Sequence, residues 1–225
     1  MLKIDVHVHS CYSDSTGTIK EILKEAQRKG LDGIAITDHK TLEGAYEAIK
    51  KQDHLIIIPG EEIKSTQGEV LALGIEKVIP NKLSIIDTIR RIHLQEGLVI
   101  LPHPTVPFFS SLKEDDMERL PIDGLEVFSA ITPLPVLYLK KNLKLALRLG
   151  VNIFAGSDSN FPETVGDAYT LIHSDSRELK DVLGAMKLGP TTIEGRPSKL
   201  SYKLKMVAGL FVNVLSNPFM NQTFI

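Results

Sequence analysis

The chain has 225 residues, 43% of them hydrophobic, and a formal net charge of −2, which excludes a disordered or a collagen-like protein. The near-neutral charge gives no electrostatic footprint for nucleic acid, so we expect no nucleic-acid partner. Cys11 is the only cysteine, which excludes an internal disulfide and fits a cytoplasmic location. We find neither a signal-peptide core nor an apolar run long enough to span a membrane.

Short apolar runs alternate with segments of helical periodicity along the chain. The predicted buried strands are Leu2–Val8, Gly33–Thr37, His54–Pro59, Glu69–Ile75, Leu98–Leu101, Gly124–Phe128, Val151–Ala155 and Ala168–His173. The predicted helices are Ile19–Lys29, Leu42–Lys51, Ser84–Gly97, Leu134–Leu149 and Ser176–Lys187. Such alternation predicts parallel strands with helical crossovers, and around seven repeats favour a barrel, although an open doubly wound sheet stays an alternative.

The end of the chain is predicted to be a separate unit. We assign residues 1–195 to the barrel and residues 196–225 to a helical tail that packs on the barrel or on a partner. Gly189–Lys199 is rich in Gly, Pro and Thr and is typical of a linker, and an apolar stripe predicts a helix from about Ser198 to Leu215. Basic residues precede the apolar end, so peripheral membrane contact is a less favoured alternative.

Imidazole and carboxylate side chains recur where the predicted strands end. They are His7 and His9, Asp38 and His39, Glu61 and Glu62, His103, and Asp158. In a parallel barrel the carboxyl ends of the strands converge on one face, so these side chains should lie together. A lone histidine at a strand end is usually a surface or a hydrogen-bonded core residue. It is the recurrence at successive strand ends that indicates a functional site.

The residue types indicate a metal site. Imidazole nitrogen and carboxylate oxygen together suit zinc, manganese or iron, and the strand period places His7 and His9 on one side. A carboxylate such as Glu61 can bridge two ions that hold a hydroxide nucleophile. Glu62 should face the opposite way from Glu61 if the strand continues, so only one of this pair should enter the site.

Two further carboxylates are expected to have supporting roles. Asp38 is predicted to orient His39 or to cap the next helix, in preference to binding metal. Glu126 lies in the middle of a predicted strand and could point into the barrel beside the metal ligands.

The order of these motifs resembles the PHP (polymerase and histidinol phosphatase) family. The motifs are His7-Val8-His9-Ser10, Tyr12-Ser13-Asp14, Ile36-Thr37-Asp38-His39, Pro59-Gly60-Glu61-Glu62, Pro102-His103-Pro104 and Gly156-Ser157-Asp158-Ser159. The resemblance covers about residues 1–170. It implies a distorted seven-stranded β/α barrel, a cluster of up to three divalent metal ions, and phosphoesterase activity.

The resemblance also assigns ligands by position. The implied ligands are His7, His9, Glu61 and Asp158 for a first ion, Glu61 and His103 for a second, and Asp14 and His39 for a third. The residues implied in catalysis are Asp158, His39 and His103. Where the family often has further histidines, this chain offers only Glu69 and Asn160, which are weaker ligands for zinc-like ions. We therefore expect one firmly held ion, one exchangeable ion, and a third position that is often empty.

The sequence thus predicts a metal-dependent phosphoesterase that acts on a small phosphorylated metabolite or a nucleotide through a metal-activated hydroxide. Hydrolysis of a carboxylic ester or amide at the same site stays an alternative. So does a non-catalytic PHP-like subunit of a nucleic-acid-processing assembly. No arginine follows Pro102-His103-Pro104, which weakens the case for a monophosphate. Phe108 and Phe109 stand there instead and could stack on a ring. A homo-oligomer is left open.

Overall fold

A computed structural model describes residues 1–51, 54–107 and 112–206 of the chain. The strands are β1 (Leu2–Val8), β2 (Gly33–Ile36), β3 (Ile56–Lys64), β4 (Glu69–Leu73), β5 (Leu98–Leu101), β6 (Gly124–Ser129), β7 (Asn152–Gly156), β8 (Ala168–Ile172) and β9 (Thr191–Gly195). The helices are α1 (Ile19–Arg28), α2 (Glu43–Lys51), α3 (Ile85–His93), α4 (Glu114–Met117), α5 (Pro135–Leu149) and α6 (Leu179–Leu188). Phe108, Phe109 and the apolar end of the predicted tail helix lie outside the described residues.

The strands form one sheet in the order β7-β6-β5-β4-β3-β2-β1-β8-β9. The sheet curls until its two ends approach each other: the Thr191 hydroxyl of β9 donates to the Ile153 carbonyl of β7 at 2.6 Å. On the same side, Val8 bridges to Ser159, just beyond β7. The expected α/β barrel-like class is therefore confirmed. The described sheet has nine strands, however, where the resemblance implied seven.

Strand direction also differs from the expectation of parallel pairing throughout. β1, β2 and β3 are mutually parallel, as are β5, β6 and β7. β4 pairs antiparallel with both β3 and β5. β8 likewise pairs antiparallel with β1 and β9. The short turn at residues 65–68 explains the first reversal, because it is too short for the crossover that a parallel neighbour needs.

The segment predicted as a linker contains a strand. β9 pairs with β8 from Ile172 opposite Thr191 to Ala168 opposite Gly195. A Cβ atom on Gly195 would lie 2.6 Å from the Ala168 Cβ, so this glycine permits close strand approach and does not mark flexibility. The linker prediction is therefore wrong for residues 191–195. The division between a barrel at 1–195 and a tail at 196–225 stays a prediction.

The apolar side chains form layers on both faces of the sheet. The inner cluster draws on β1 to β5, β7 and β8, and Phe154 is its largest fully buried side chain. Val182 and Met186 of α6 pack against this cluster, and Asn152 at the start of β7 donates to the Met186 carbonyl. The outer clusters lie between the sheet and the other helices. α6 therefore covers the amino ends of the parallel strands and leaves their carboxyl ends accessible.

Local sequence signals fix where several helices begin and end. Thr18 and Glu21 form a capping box at the start of α1, and the Ser84 hydroxyl accepts the Asp87 N–H at the start of α3. Gly150 ends α5 with a φ of 67°. The first two caps satisfy backbone N–H groups that the first turn of a helix leaves unpaired, and the Gly150 N–H donates to carbonyls of the last turn of α5.

The chain after β9 runs back over the barrel. The Ser198 N–H donates to the Ala130 carbonyl at 2.9 Å, and the Ser198 hydroxyl donates to Asp167 at 2.9 Å. Residues 200–206 are helical, within the span predicted for the tail helix. Among the described residues, no helix is both long and apolar enough to cross a membrane.

Truncation of Phe154 should destabilise the fold strongly. Phe154→Ala removes a ring that is fully buried inside the sheet, and such changes cost about 3–5 kcal/mol. The matched control is Leu147→Ala, whose side chain is 84% exposed and whose loss should change the free energy of unfolding by less than about 0.5 kcal/mol. Urea unfolding followed by circular dichroism measures both values. Equal losses for the two variants would contradict the inner packing described above.

Candidate metal centre

The two histidines of the first motif face each other. Their Nε2 atoms lie 3.1 Å apart, and both rings are buried. Two ligands of one tetrahedral zinc ion at the usual bond lengths lie about 3.3 Å apart. The register of β1 against β2 is irregular between Asp5 and Val8, the stretch that contains His7. The end of β1 therefore presents two ring nitrogens at a spacing that suits a shared ion.

The carboxylate of Glu62 lies at the middle of the cluster. Its Oε2 is 3.4 Å from His7 Nε2, 3.2 Å from His9 Nε2 and 3.5 Å from His39 Nε2. Its Oε1 is 3.5 Å from His103 Nε2. Glu62 thus contacts four imidazoles from three different segments of the chain.

Glu61, which the sequence analysis placed in the site, points elsewhere. Its Oε2 accepts the Ile79 N–H at 2.8 Å and its Oε1 accepts the Lys40 N–H at 3.2 Å. Burial raises the pKa of this carboxyl to about 7, against those two hydrogen bonds. The choice between the two glutamates is therefore corrected: Glu62 enters the cluster, and Glu61 ties down the loop that carries His39.

Asp158 reaches the cluster from the end of β7. Its Oδ1 lies 3.5 Å from His7 Nε2 and 3.6 Å from His9 Nε2, and its Oδ2 accepts the Ser129 hydroxyl at 3.1 Å. Asp158 has a φ of 53°, a left-handed conformation that costs energy in a non-glycine residue. Gly156 precedes it, and a Cβ there would lie 2.5 Å from the His7 Cβ. The turn that presents Asp158 therefore packs directly against the first motif.

His103 and its support come from β5 and β6. The Glu126 Oε2 accepts the His103 N–H at 3.1 Å, and the Glu126 Oε1 lies 3.2 Å from His7 Nδ1. His103 also has a positive φ, of 37°. Hydrogen bonding of a histidine's second ring nitrogen to a carboxylate orients the ring, as is usual for metal ligands. Glu126 thus stands beside the cluster, where the sequence analysis expected it.

His39 and Asp14 form the outer part of the cluster. His39 Nδ1 lies 2.8 Å from the Glu62 carbonyl oxygen, which turns Nε2 towards the site. Asp14 lies 3.6 Å from His39 Nε2 and 3.4 Å from His9 Nδ1. The Asp14 side chain is 53% exposed, so this side of the cluster is open to water.

The two weak ligands of the sequence analysis line the same cavity. Glu69 lies 3.8 Å from His103 Nε2, on the side of the cluster away from Asp14. Asn160 lines the cavity beside Phe161, beyond the Asp158 turn. The cavity has a volume of about 340 Å³ and opens from the cluster towards the tail. The structure thus brings together all the predicted site residues except Glu61.

The electrostatics of the cluster favour positive charge. Burial lowers the pKa of His9, but Asp158 and Glu62 outweigh it and raise that pKa to about 10. Burial lowers the pKa of His103 too, and Glu62 raises it to about 9. Burial raises the pKa of Glu62, but the neighbouring imidazoles hold it well below its usual range. The chain without ions therefore carries ionised carboxylates and protonated imidazoles side by side.

The donor set fits divalent metal ions. Three groups have ligand atoms that all lie within 4.8 Å of one another: His7, His9 and Glu62; His9, Asp14 and His39; Glu62, Glu69 and His103. His9 Nδ1 is buried and forms no hydrogen bond within the described residues. A buried nitrogen without a hydrogen bond is costly, and a bound cation would remove that cost.

Asp5 is a site residue that the sequence analysis missed. It is fully buried, and burial raises the pKa of its carboxyl to about 6. Its oxygens accept the Ser157 N–H and hydroxyl and the Gly166 N–H, at 2.8, 2.6 and 2.8 Å. Asp5 therefore holds the turn that presents Asp158. A carboxylate in the middle of an apolar strand was the signal that could have revealed it.

Asp38 also has a role that differs from the expected ones. It accepts the Ser10 N–H at 2.7 Å and the Ser13 hydroxyl at 2.6 Å. These bonds hold the loop between His9 and Asp14. Asp38 thus shapes the first loop.

The family models that match this chain both describe PHP proteins. The PHP domain model matches residues 5–94, and the PHP-associated model matches residues 138–191. An uncharacterized protein from Methanocaldococcus jannaschii is 38% identical over 142 residues, which are 57% of this chain and 82% of that protein. A phosphoribosyl 1,2-cyclic phosphate 1,2-diphosphodiesterase from Eggerthella lenta is 31% identical over 84 residues, 34% of this chain and 32% of that enzyme.

Solved structures share the fold at low identity. A two-domain protein from Bacteroides vulgatus, containing a predicted PHP-like metal-dependent phosphoesterase, superposes with a TM-score of 0.74 at 19% identity, over 87% of this chain. This chain spans 65% of that protein, which is less than two thirds of its length. A lesion-specific endonuclease from Pyrococcus furiosus gives a TM-score of 0.65 at 16% identity, over 85% of this chain and 57% of the endonuclease. The matched family models, the archaeal relative and the shared fold together confirm the resemblance: the chain belongs to the PHP family.

Proposed function

We propose that this protein is a metal-dependent phosphoesterase that acts on a small phosphorylated metabolite or a nucleotide. The observation that carries the proposal is the position of Glu62, whose carboxylate lies within 3.5 Å of ring nitrogens of four histidines. Membership of the PHP family supports the hydrolytic class, as does the similarity to the Eggerthella lenta phosphodiesterase.

The donor groups would provide three ion positions. His7, His9 and Glu62 would hold a first ion, with the Asp158 carboxylate beside them. Glu62, Glu69 and His103 would hold a second, and His9, Asp14 and His39 a third. Glu62 belongs to the first two groups, where the resemblance assigned Glu61. When bound, such ions supply Lewis-acid charge and lower the pKa of water, which neutral side chains alone do not achieve.

The chain's own residues provide proton transfer and orientation. Asp158 Oδ1 faces the cluster, while the Ser129 hydroxyl holds Oδ2, so Oδ1 can accept a proton from the attacking water. Burial lowers the pKa of His39, but the neighbouring Asp14 outweighs it and raises that pKa. When the third position is empty, protonated His39 Nε2 can therefore donate a proton to the leaving oxygen. His103 contacts both Glu62 and Asp158 and orients the substrate oxygens between them.

The size of the cavity favours a small substrate. Its volume of about 340 Å³ is near the lower end of the usual range for ligand pockets. The chain's net charge of −2 gives no broad basic surface for a long nucleic acid. A small phosphate ester fits both observations better than a duplex does.

A substrate panel tests this function against its alternatives. We expect the manganese-loaded protein to hydrolyse phosphomonoesters or small phosphodiesters, including cyclic ones, and the chelator-treated protein to be inactive. Carboxylic esters, amides and a single-stranded oligonucleotide complete the panel. Hydrolysis of carboxylic esters or amides alone would contradict the proposal. Cleavage restricted to the oligonucleotide would replace the small-molecule substrate with nucleic acid.

Substitution of the two adjacent glutamates should separate their roles. Glu62→Gln removes a charge that contacts every imidazole of the cluster, and we expect activity to fall more than about a hundred-fold with loss of bound metal. Glu61→Gln is the matched control. The amide of this variant can still accept a backbone N–H, so activity should fall by less than about ten-fold. Elemental analysis and turnover with one phosphate ester measure both effects. The opposite ranking would restore the original assignment to Glu61.

Metal removal and replacement should reveal positions of unequal affinity. Protein purified without chelator should retain roughly one ion per chain, and activity should rise with added manganese as a weaker position fills. The open, half-exposed Asp14 makes the third position the weakest. Asn160→His places an imidazole in the cavity and should raise metal content. Full occupancy of three positions in untreated wild-type protein would show that this ranking is wrong.

A further inference from the structure

One cation of the tail lies at the candidate active site. The cavity that opens from the metal cluster is lined on its outer side by Phe161, Lys205 and Met206. Lys205 belongs to the helical segment 200–206, which lies outside both matched family regions. The tail therefore contributes a charged side chain to a cavity whose other acidic and basic groups come from the barrel.

The segment that carries Lys205 is anchored on both sides of the cavity. Upstream, Arg196 and Ser198 bind the backbone of Asp167 and Ala130. Next to Lys205, the Lys203 ammonium donates to the Thr132 carbonyl at 2.7 Å, and Thr132 itself lines the cavity. These contacts are made by the tail backbone and by one partly buried lysine. They fix the position of the helix at the rim.

The side chain of Lys205 rests on two aromatic rings. Its ammonium lies 6.0 Å from the ring centre of Phe161 and 5.5 Å from that of Tyr202, and the two rings are 5.3 Å apart. Within the described part of the chain, no carboxylate pairs with it at ion-pair distance. An ammonium held by ring faces keeps its hydrogen-bond donors available for a ligand.

Lys64, the other lysine that lines the cavity, is less available. Its ammonium lies 3.5 Å from the Glu69 carboxylate, so a barrel acid offsets its charge. The described lining also contributes the imidazoles of His9, His39 and His103 and the carboxylates of Asp14, Glu62, Glu69 and Asp158. Each of these imidazoles lies within 3.5 Å of one of these carboxylates. Among the described lining residues, Lys205 is therefore the cation left without a carboxylate partner.

We propose that Lys205 is the anion-binding residue of this cavity and makes the site selective for substrates that carry a phosphate dianion. The proposal rests on the phosphoesterase function proposed above and names the residue that distinguishes phosphate esters from neutral esters.

The test compares three lysine variants in the metal-loaded protein. Calorimetry with inorganic phosphate measures binding directly, and steady-state kinetics with a phosphomonoester separate KM from kcat. Lys205→Ala should weaken phosphate binding and raise KM by about ten-fold, the scale of one charge-assisted hydrogen bond, with kcat nearly unchanged. Lys205→Arg should keep both values within about three-fold, because it retains the charge. Lys199→Ala removes the same charge from the same segment away from the cavity and should match wild type.

The outcomes separate this inference from the proposed function. Phosphate binding that depends on Lys205, in a protein that cleaves no phosphate ester, would support the anion site and refute the phosphoesterase. Phosphate-ester cleavage with an unchanged KM in Lys205→Ala would support the phosphoesterase and refute the anion site. Equal weakening by Lys199→Ala and Lys205→Ala would also overturn the inference, since it would reflect general surface charge.

Discussion

The buried carboxylate of Glu62 is the constraint on which the candidate site depends. Its side chain is 5% exposed, and Asp158 and Glu126 place two more carboxyl groups against His7. Ionised carboxylates are strongly destabilising in a protein interior unless positive charge compensates them. In the chain without ions, protons on the imidazoles supply that charge, which is why the pKa of His9 is raised to about 10. A bound metal ion could replace these protons, because it supplies the same positive charge to the carboxylates. The charge balance that stabilises the cluster therefore also makes it a cation site.

A second set of carboxylates holds the cluster in place without entering it. Glu126 accepts the backbone N–H of His103, and Asp5 accepts that of Ser157, the residue before Asp158. Both His103 and Asp158 have positive φ values, a conformation that persists only when the surroundings fix it. These buried hydrogen bonds offset the strain and restrict the candidate ligands to one conformation. The site is therefore preorganised by two acids that lie outside the three candidate donor groups.

The sequence predicted which strands end in the site but could not resolve which glutamate enters it. Histidines at strand ends are visible because imidazole is rare in apolar runs. The side chains of Ile56 and Ile58 belong to the inner cluster. Because successive side chains of a strand alternate between its two faces, Glu62 lies on the same face as these two isoleucines. That period is hidden because Ile57 is buried as well, in an outer cluster. A strand covered on both faces loses the alternation that would have excluded Glu61.

Non-local pairing explains the rest of what the sequence did not predict, and it connects the tail to the site. The antiparallel directions of β8 and β9 depend on partners far along the chain, so local periodicity cannot reveal them. β9 carries the chain back across the barrel, and the anchors at Ser198 and Lys203 then place the next helix over the cavity. Lys205 and the first motif are separated by almost the whole chain, yet both line one cavity because of that return. The strand that resembled a linker therefore brings Lys205 to the rim of the cavity.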